Sequence, residues 1–121
     1  MSKTALVVDD SRSLRTMVSD TLEEAGYNVL QCANGQEALD TVAEKSVDFV
    51  ITDVNMPLMD GLTLVKRLRS LPGMQYIPIL ILTTESTSNM KNRGRLAGAT
   101  GWMVKPFNPA QLINVVTRIV A

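Results

Sequence analysis

A chain of 121 residues, 45% hydrophobic and 20% charged, has the means to bury the core of one domain spanning 1–121, and leaves no room for a catalytic unit joined to a separate output unit. Twelve basic residues balance twelve acidic ones and aromatics make up only 4%, so composition gives no drive toward nucleic acid or an anionic membrane. The absence of histidine excludes Ser-His-Asp and Cys-His chemistry and HExxH zinc sites, and the lone Cys32 excludes an internal disulfide.

In chain order, Thr4 to Val8 is an apolar run that breaks off at Asp9-Asp10 and reads as a buried strand. From Ser11 onward Leu14, Met17, Val18, Leu22 and Ala25 recur at helical spacing until Gly26 stops the pattern. Tyr27 to Ala33 reads as a weaker strand. Asn34-Gly35 alone would suggest a hairpin, but Ala38, Leu39, Val42 and Ala43 follow at helical spacing and argue for a helix start instead. Val47 to Thr52 is a third apolar run, closed by Asp53. Met56-Pro57 and Asp60-Gly61 mark a loop, after which Leu64, Val65, Leu68 and Leu71 form a helix ended by Pro72-Gly73. Ile77 to Leu82 is the strongest strand, with Pro78 tolerable near its start. Thr83 to Arg95 is polar and too thin in apolar residues to define a well-packed helix. Trp102 to Val104 is a fifth strand cut off by Lys105-Pro106, and Leu112, Val115, Val116, Ile119 and Val120 form a last helix.

Strand and helix alternate five times, the pattern of a parallel sheet covered on both faces, a three-layer α/β fold. The opening residues lack the apolar stretch of a signal peptide. No apolar run exceeds four residues, against the roughly 20 that span a bilayer. A cytoplasmic monomer is the expectation.

In such a sheet function gathers beyond the carboxyl ends of the strands. Asp9 and Asp10 follow strand one, Asp53 strand three, Thr83 strand four and Lys105 strand five. Each aspartate alone has a plain alternative as a helix cap or turn residue. Together, three carboxylates repel at roughly 4 kcal/mol per pair at about 4 Å and an effective dielectric near 20. A hard divalent cation such as Mg²⁺ and the Lys105 ammonium offset that repulsion, and the neutral sum suits a phosphoryl dianion. Asp53 is the candidate nucleophile, with Lys105 and Thr83 as donors to the phosphoryl oxygens.

The spaced set Val7-Val8-Asp9-Asp10-Ser11, Thr52-Asp53-Val54-Asn55-Met56-Pro57, Asp60-Gly61, Leu82-Thr83 and Lys105-Pro106-Phe107 resembles the receiver domain of two-component response regulators, the single-domain chemotaxis kind in particular. The resemblance implies a flavodoxin-like sheet of order 2-1-3-4-5 and a cis Lys105-Pro106 bond. It also implies phosphorylation of Asp53 by a CheA-like sensor histidine kinase, with Mg²⁺ held by Asp9 through water and by Asp10, Asp53 and the Asn55 carbonyl. By the same resemblance Thr83 and Trp102 form a switch, although a Tyr or Phe is usual at position 102. Asn55 and Glu85 flank the water that ends the signal, and Thr84 exceeds the very small residue common at its place, which slows phosphotransfer. The face of Lys91, Arg93 and Arg95, strand five and the last helix would be the output surface. Its partner is a flagellar motor switch or a histidine phosphotransfer protein, and a phosphate sink is the further alternative.

Plainer readings stand beside these: a solvated helix face for the basic trio, a binding anchor for Trp102, and loop packing for Met56 and Met59. An Asp-nucleophile phosphatase would need a second Asp where Asn55 stands. A flavin carrier would need a phosphate loop where Asp9-Asp10-Ser11-Arg12 repels phosphate, and no nucleotide-binding glycine motif occurs.

Overall fold

Apolar runs buried on both faces favour parallel strands. In the computed structural model, which describes residues 2–121, they form β1 (Thr4–Val8), β2 (Asn28–Cys32), β3 (Phe49–Thr52), β4 (Ile79–Thr83) and β5 (Gly101–Val104). These make one parallel sheet of order β2-β1-β3-β4-β5. Between and after them run α1 (Arg12–Glu24), α2 (Gly35–Glu44), α3 (Gly61–Arg69), α4 (Ser88–Ala97) and α5 (Pro109–Val120).

Alternate strand residues face opposite layers. Leu6, Val8, Val50, Ile79 and Ile81 pack with Ala38, Leu64, Leu68 and Ala97 of α2, α3 and α4. Ala5, Val7, Phe49, Ile51, Leu80 and Leu82 pack with Val18, Leu22, Leu112 and Val116 of α1 and α5. The chain steps from β1 to β2 on one side and then crosses from β2 to β3 on the other side of β1. That reversal opens a crevice at the carboxyl ends of β1 and β3.

Every helix begins on a side chain that accepts a hydrogen bond from its first turn: Ser11, Asn34, Asp60, Thr87 and Asn108. Asn34 is thus a helix cap and not a hairpin residue, and Glu37 returns a bond to the backbone of Ala33. The element bounds shift where polar chemistry intervenes. The β4 ladder starts at Ile79, because Pro78 has no N–H to give, and the Ile79 amide bonds to Thr100 Oγ1. α3 ends at Arg69, whose guanidinium donates to the carbonyls of Met74, Ile77 and Gly98. The largest difference is α4, a full helix that begins inside the polar stretch Thr83 to Arg95, whose apolar residues are too few to mark one, and runs on to Ala97.

Candidate functional site

The β1–α1 and β3–α3 turns bring Asp9, Asp10 and Asp53 together, with one carboxylate oxygen from each lying within 4.8 Å of the others. Asp9 and Asp53 are buried, at 5% and 9% exposure, whereas Asp10 is exposed. The two readings of an aspartate after a strand are both met, by different atoms of the same side chain. Asp9 Oδ1 accepts the Ser11 amide at 2.9 Å, and Asp53 Oδ1 accepts those of Val54 and Asn55 at 2.6 and 3.4 Å. Their Oδ2 atoms point into the crevice, where Lys105 Nζ donates to both, at 2.8 and 2.9 Å.

Lys105 reaches them from the end of β5, its amide bonded to the Thr83 carbonyl and its peptide bond to Pro106 cis. Desolvation alone would pull the ammonium down. The hydrogen bonds and charges of Asp9 and Asp53 outweigh it, so the Lys105 pKa stands above the ordinary lysine value. Lys105 bridges two of the three carboxylates and does not reach Asp10, so the formal charge of the cluster is negative. Three carboxylate oxygens gathered in this way are the donor type that a hard divalent ion takes.

Glycine is required at the start of α3. The amide of Gly61 bonds to the Val54 carbonyl at 2.8 Å, and a Cβ there would overlap the Asp53 carbonyl oxygen. Thr83 is fully buried at the end of β4, and the Glu85 amide approaches its hydroxyl at 3.4 Å. Asn55 Nδ2 donates to Glu85 Oε1 at 3.2 Å, so the two flanking side chains meet across the mouth of the crevice. Trp102 lies half-buried against α4, and its Nε1 donates to the Glu85 carbonyl at 2.9 Å. Glu85 therefore touches Asn55, Thr83 and Trp102 at once. Thr84 is exposed beside them.

The basic trio of α4 divides. Lys91 and Arg95, one helical turn apart, line a hollow of about 220 Å³ beside Trp102. Arg93 faces the other way, into a hollow toward α3 shared with Leu62 and Lys66. Met59 packs on Gly35 and Met56 against the core, as loop packing requires. Arg15 was not marked by any motif, yet its Nη1 donates to the Asp9 carbonyl at 2.7 Å and supports the acidic turn. A contact to backbone leaves no trace in the pairing of residue types. Among the described residues no helix is long and apolar enough to cross a membrane.

The family profile of the response regulator receiver domain matches residues 5–117. The structure superposes on the chemotaxis protein CheY4 of Vibrio cholerae with a TM-score of 0.95 at 46% identity, covering 98% of this chain and 99% of that one. The chain is 36% identical over 115 residues to the chemotaxis protein CheY-3 of Vibrio cholerae, covering 94% of this chain and 88% of that protein. It is 38% identical over 112 residues to PhoP of Bacillus subtilis, an alkaline phosphatase synthesis transcriptional regulatory protein; the match covers 93% of this chain and 46% of PhoP, so the chain spans about half the length of that relative.

Proposed function

The chain belongs to the response regulator receiver domain family, and from that premise we propose that it is a phosphorylation-activated switch in chemotaxis, with Asp53 as phosphoacceptor. The observation that carries this reading is the Lys105 ammonium bridging Asp9 and Asp53 at the topological switch point. A carboxylate oxygen of Asp53 attacks the phosphorus of a kinase phosphohistidine. The P–N bond breaks with its electron pair leaving on the imidazole, and an acyl phosphate forms. Mg²⁺ would be held by Asp10, Asp53 and the Asn55 carbonyl, with Asp9 acting through water, and it supplies charge neutralisation at the phosphoryl oxygens. Lys105 pairs with the new dianion, and the Thr83 hydroxyl turns toward it as a donor. Hydrolysis by a water between Asn55 and Glu85 returns the carboxylate and inorganic phosphate.

The phosphate donor is a CheA-like sensor histidine kinase, and the output is contact with a downstream protein such as a flagellar motor switch. Two chemotaxis relatives that this chain covers nearly end to end support that assignment. A phosphatase is disfavoured because Asn55, bonded to Glu85, holds no acidic proton at the general-acid position. Incubation with acetyl phosphate and Mg²⁺ is expected to add one phosphoryl group by intact mass, absent in Asp53→Asn. An adduct that persists in that variant overturns the assignment.

A further inference from the structure

Gly94 stands on the buried side of α4, mid-helix, where glycine is disfavoured for its backbone entropy. Trp102 is the reason for it. A Cβ at position 94 would lie 2.6 Å from Cζ3 and 2.8 Å from Cε3 of the indole, and 3.2 Å from Cδ1 of Ile81. Carbon atoms pack at about 3.5–4.0 Å, so the benzo edge of the ring occupies the volume any other side chain would need. On its other edge Nε1 donates to the Glu85 carbonyl, in the loop that precedes α4. The indole is thus held at two edges by segments on either side of the helix start. The buried residues of α4 are Gly94 and Ala97, and Met90 packs against the core only in part. Much of its apolar seal against the sheet is therefore supplied by a strand side chain.

We infer that Gly94 is a positioning residue of the switch: by omitting a Cβ it seats Trp102 inward and makes the packing of α4 and the pose of the indole a single event. This is what allows the large indole to occupy position 102. The link from there to phosphorylation rests on the proposed function and runs through Glu85, whose amide faces Thr83 and whose carboxylate holds Asn55. The matched pair itself stands on packing alone.

The test is a double-mutant cycle of Gly94→Ala and Trp102→Ala, read by thermal unfolding, with acrylamide quenching of Trp102 in the two proteins that keep it. Alanine is the better helix former, so Gly94→Ala raises the melting temperature wherever the Cβ has room. We expect it to lower the melting temperature by several degrees in the native background and to raise it once Trp102 is alanine. Quenching in Gly94→Ala should increase at least twofold, and its emission should lose the response to beryllofluoride and Mg²⁺ shown by the native protein. The same sign in both backgrounds, or unchanged quenching, overturns the inference. Should Gly94→Ala fail to fold, recovery in the double variant supports the pair and continued failure overturns it. A native protein that takes no phosphoryl group from acetyl phosphate defeats the proposed function and leaves the cycle as a reading of the pair.

Discussion

The amide of Asn55 donates to the Glu85 carboxylate at 3.2 Å, joining two loops whose residues are 30 positions apart. That contact spans the approach to Asp53, since the Asn55 backbone amide also faces Asp53 Oδ1. On the proposed function, a water attacking an acyl phosphate at Asp53 would pass between these side chains. Replacing both with alanine is expected to change the decay rate of phosphorylated protein by several-fold, measured by phosphate release after donor removal. Equal decay in native and double-alanine proteins would remove the pair from the mechanism.

Asp10 differs from its two neighbours in being exposed and outside the reach of Lys105. Asp10→Asn should therefore leave the Lys105 bridges intact while reducing the charge offered to a metal. Mg²⁺ affinity should fall at least tenfold by titration at neutral pH, with apo stability unchanged or slightly higher because one like-charge neighbour is gone. Native-like Mg²⁺ affinity in this variant would refute the charge argument.

The site was legible in sequence because its chemistry sits at strand ends: an acidic residue terminating an apolar run is visible without coordinates, as with Asp9 and Asp53. Their second task was not visible, because only geometry assigns Oδ1 to the turn and Oδ2 to Lys105. α4 was hidden because the apolar seal a helix usually carries on its own face comes from Trp102, and the place for a core residue is held by Gly94. Proximity in sequence groups the basic trio, whereas helical phase places Lys91 with Arg95 and turns Arg93 away. Arg15 acts on a carbonyl, which every residue has, so no pattern could single it out.

Gly61 offers a test of how tightly the loop around Asp53 is packed. A Cβ at this position meets the Asp53 carbonyl, which is backbone and has little freedom to yield. Gly61→Ala should destabilise the fold by about 1–3 kcal/mol, the usual cost of overpacking, and slow phosphorylation by acetyl phosphate. Denaturant unfolding and labelling rates check both effects. Native stability with native labelling would mean that α3 shifts outward without disturbing Asp53.

Thr83 is buried, and the Glu85 amide faces its hydroxyl. If the hydroxyl turns toward phosphoryl oxygens, the Glu85 amide loses that partner and the carbonyl holding Trp102 moves with it. Beryllofluoride with Mg²⁺ should shift Trp102 emission and change its acrylamide quenching, and Thr83→Ala should weaken both responses by a large fraction. Emission unchanged at saturating mimic would make Trp102 a static anchor.

Lys105 carries the sharpest prediction, because its removal has opposite consequences for folding and for metal binding. Among the described residues its ammonium is the one cation paired with Asp9 and Asp53, and its side chain is only 6% exposed. Lys105→Met leaves two buried carboxylates uncompensated, at a cost of about 3 kcal/mol, the lower end for breaking a buried pair because the crevice opens to solvent. The same loss removes the competitor for those oxygens, so Mg²⁺ should bind more tightly than in the native protein, and saturating Mg²⁺ should restore much of the lost stability. Although desolvation lowers the Lys105 pKa, hydrogen bonds and charges from Asp9 and Asp53 raise it by more, so the folded value lies above the ordinary lysine value. A cation whose pKa is raised on folding contributes its full stability below the unfolded value of about 10.4 and loses it as pH climbs through the folded value. The stability difference between native protein and Lys105→Met, from urea unfolding without metal, should therefore be constant from neutral pH to about pH 10 and shrink above it. A difference that shrinks below pH 9, or weaker Mg²⁺ binding in the variant, would show that Lys105 does not hold the two carboxylates in the manner described.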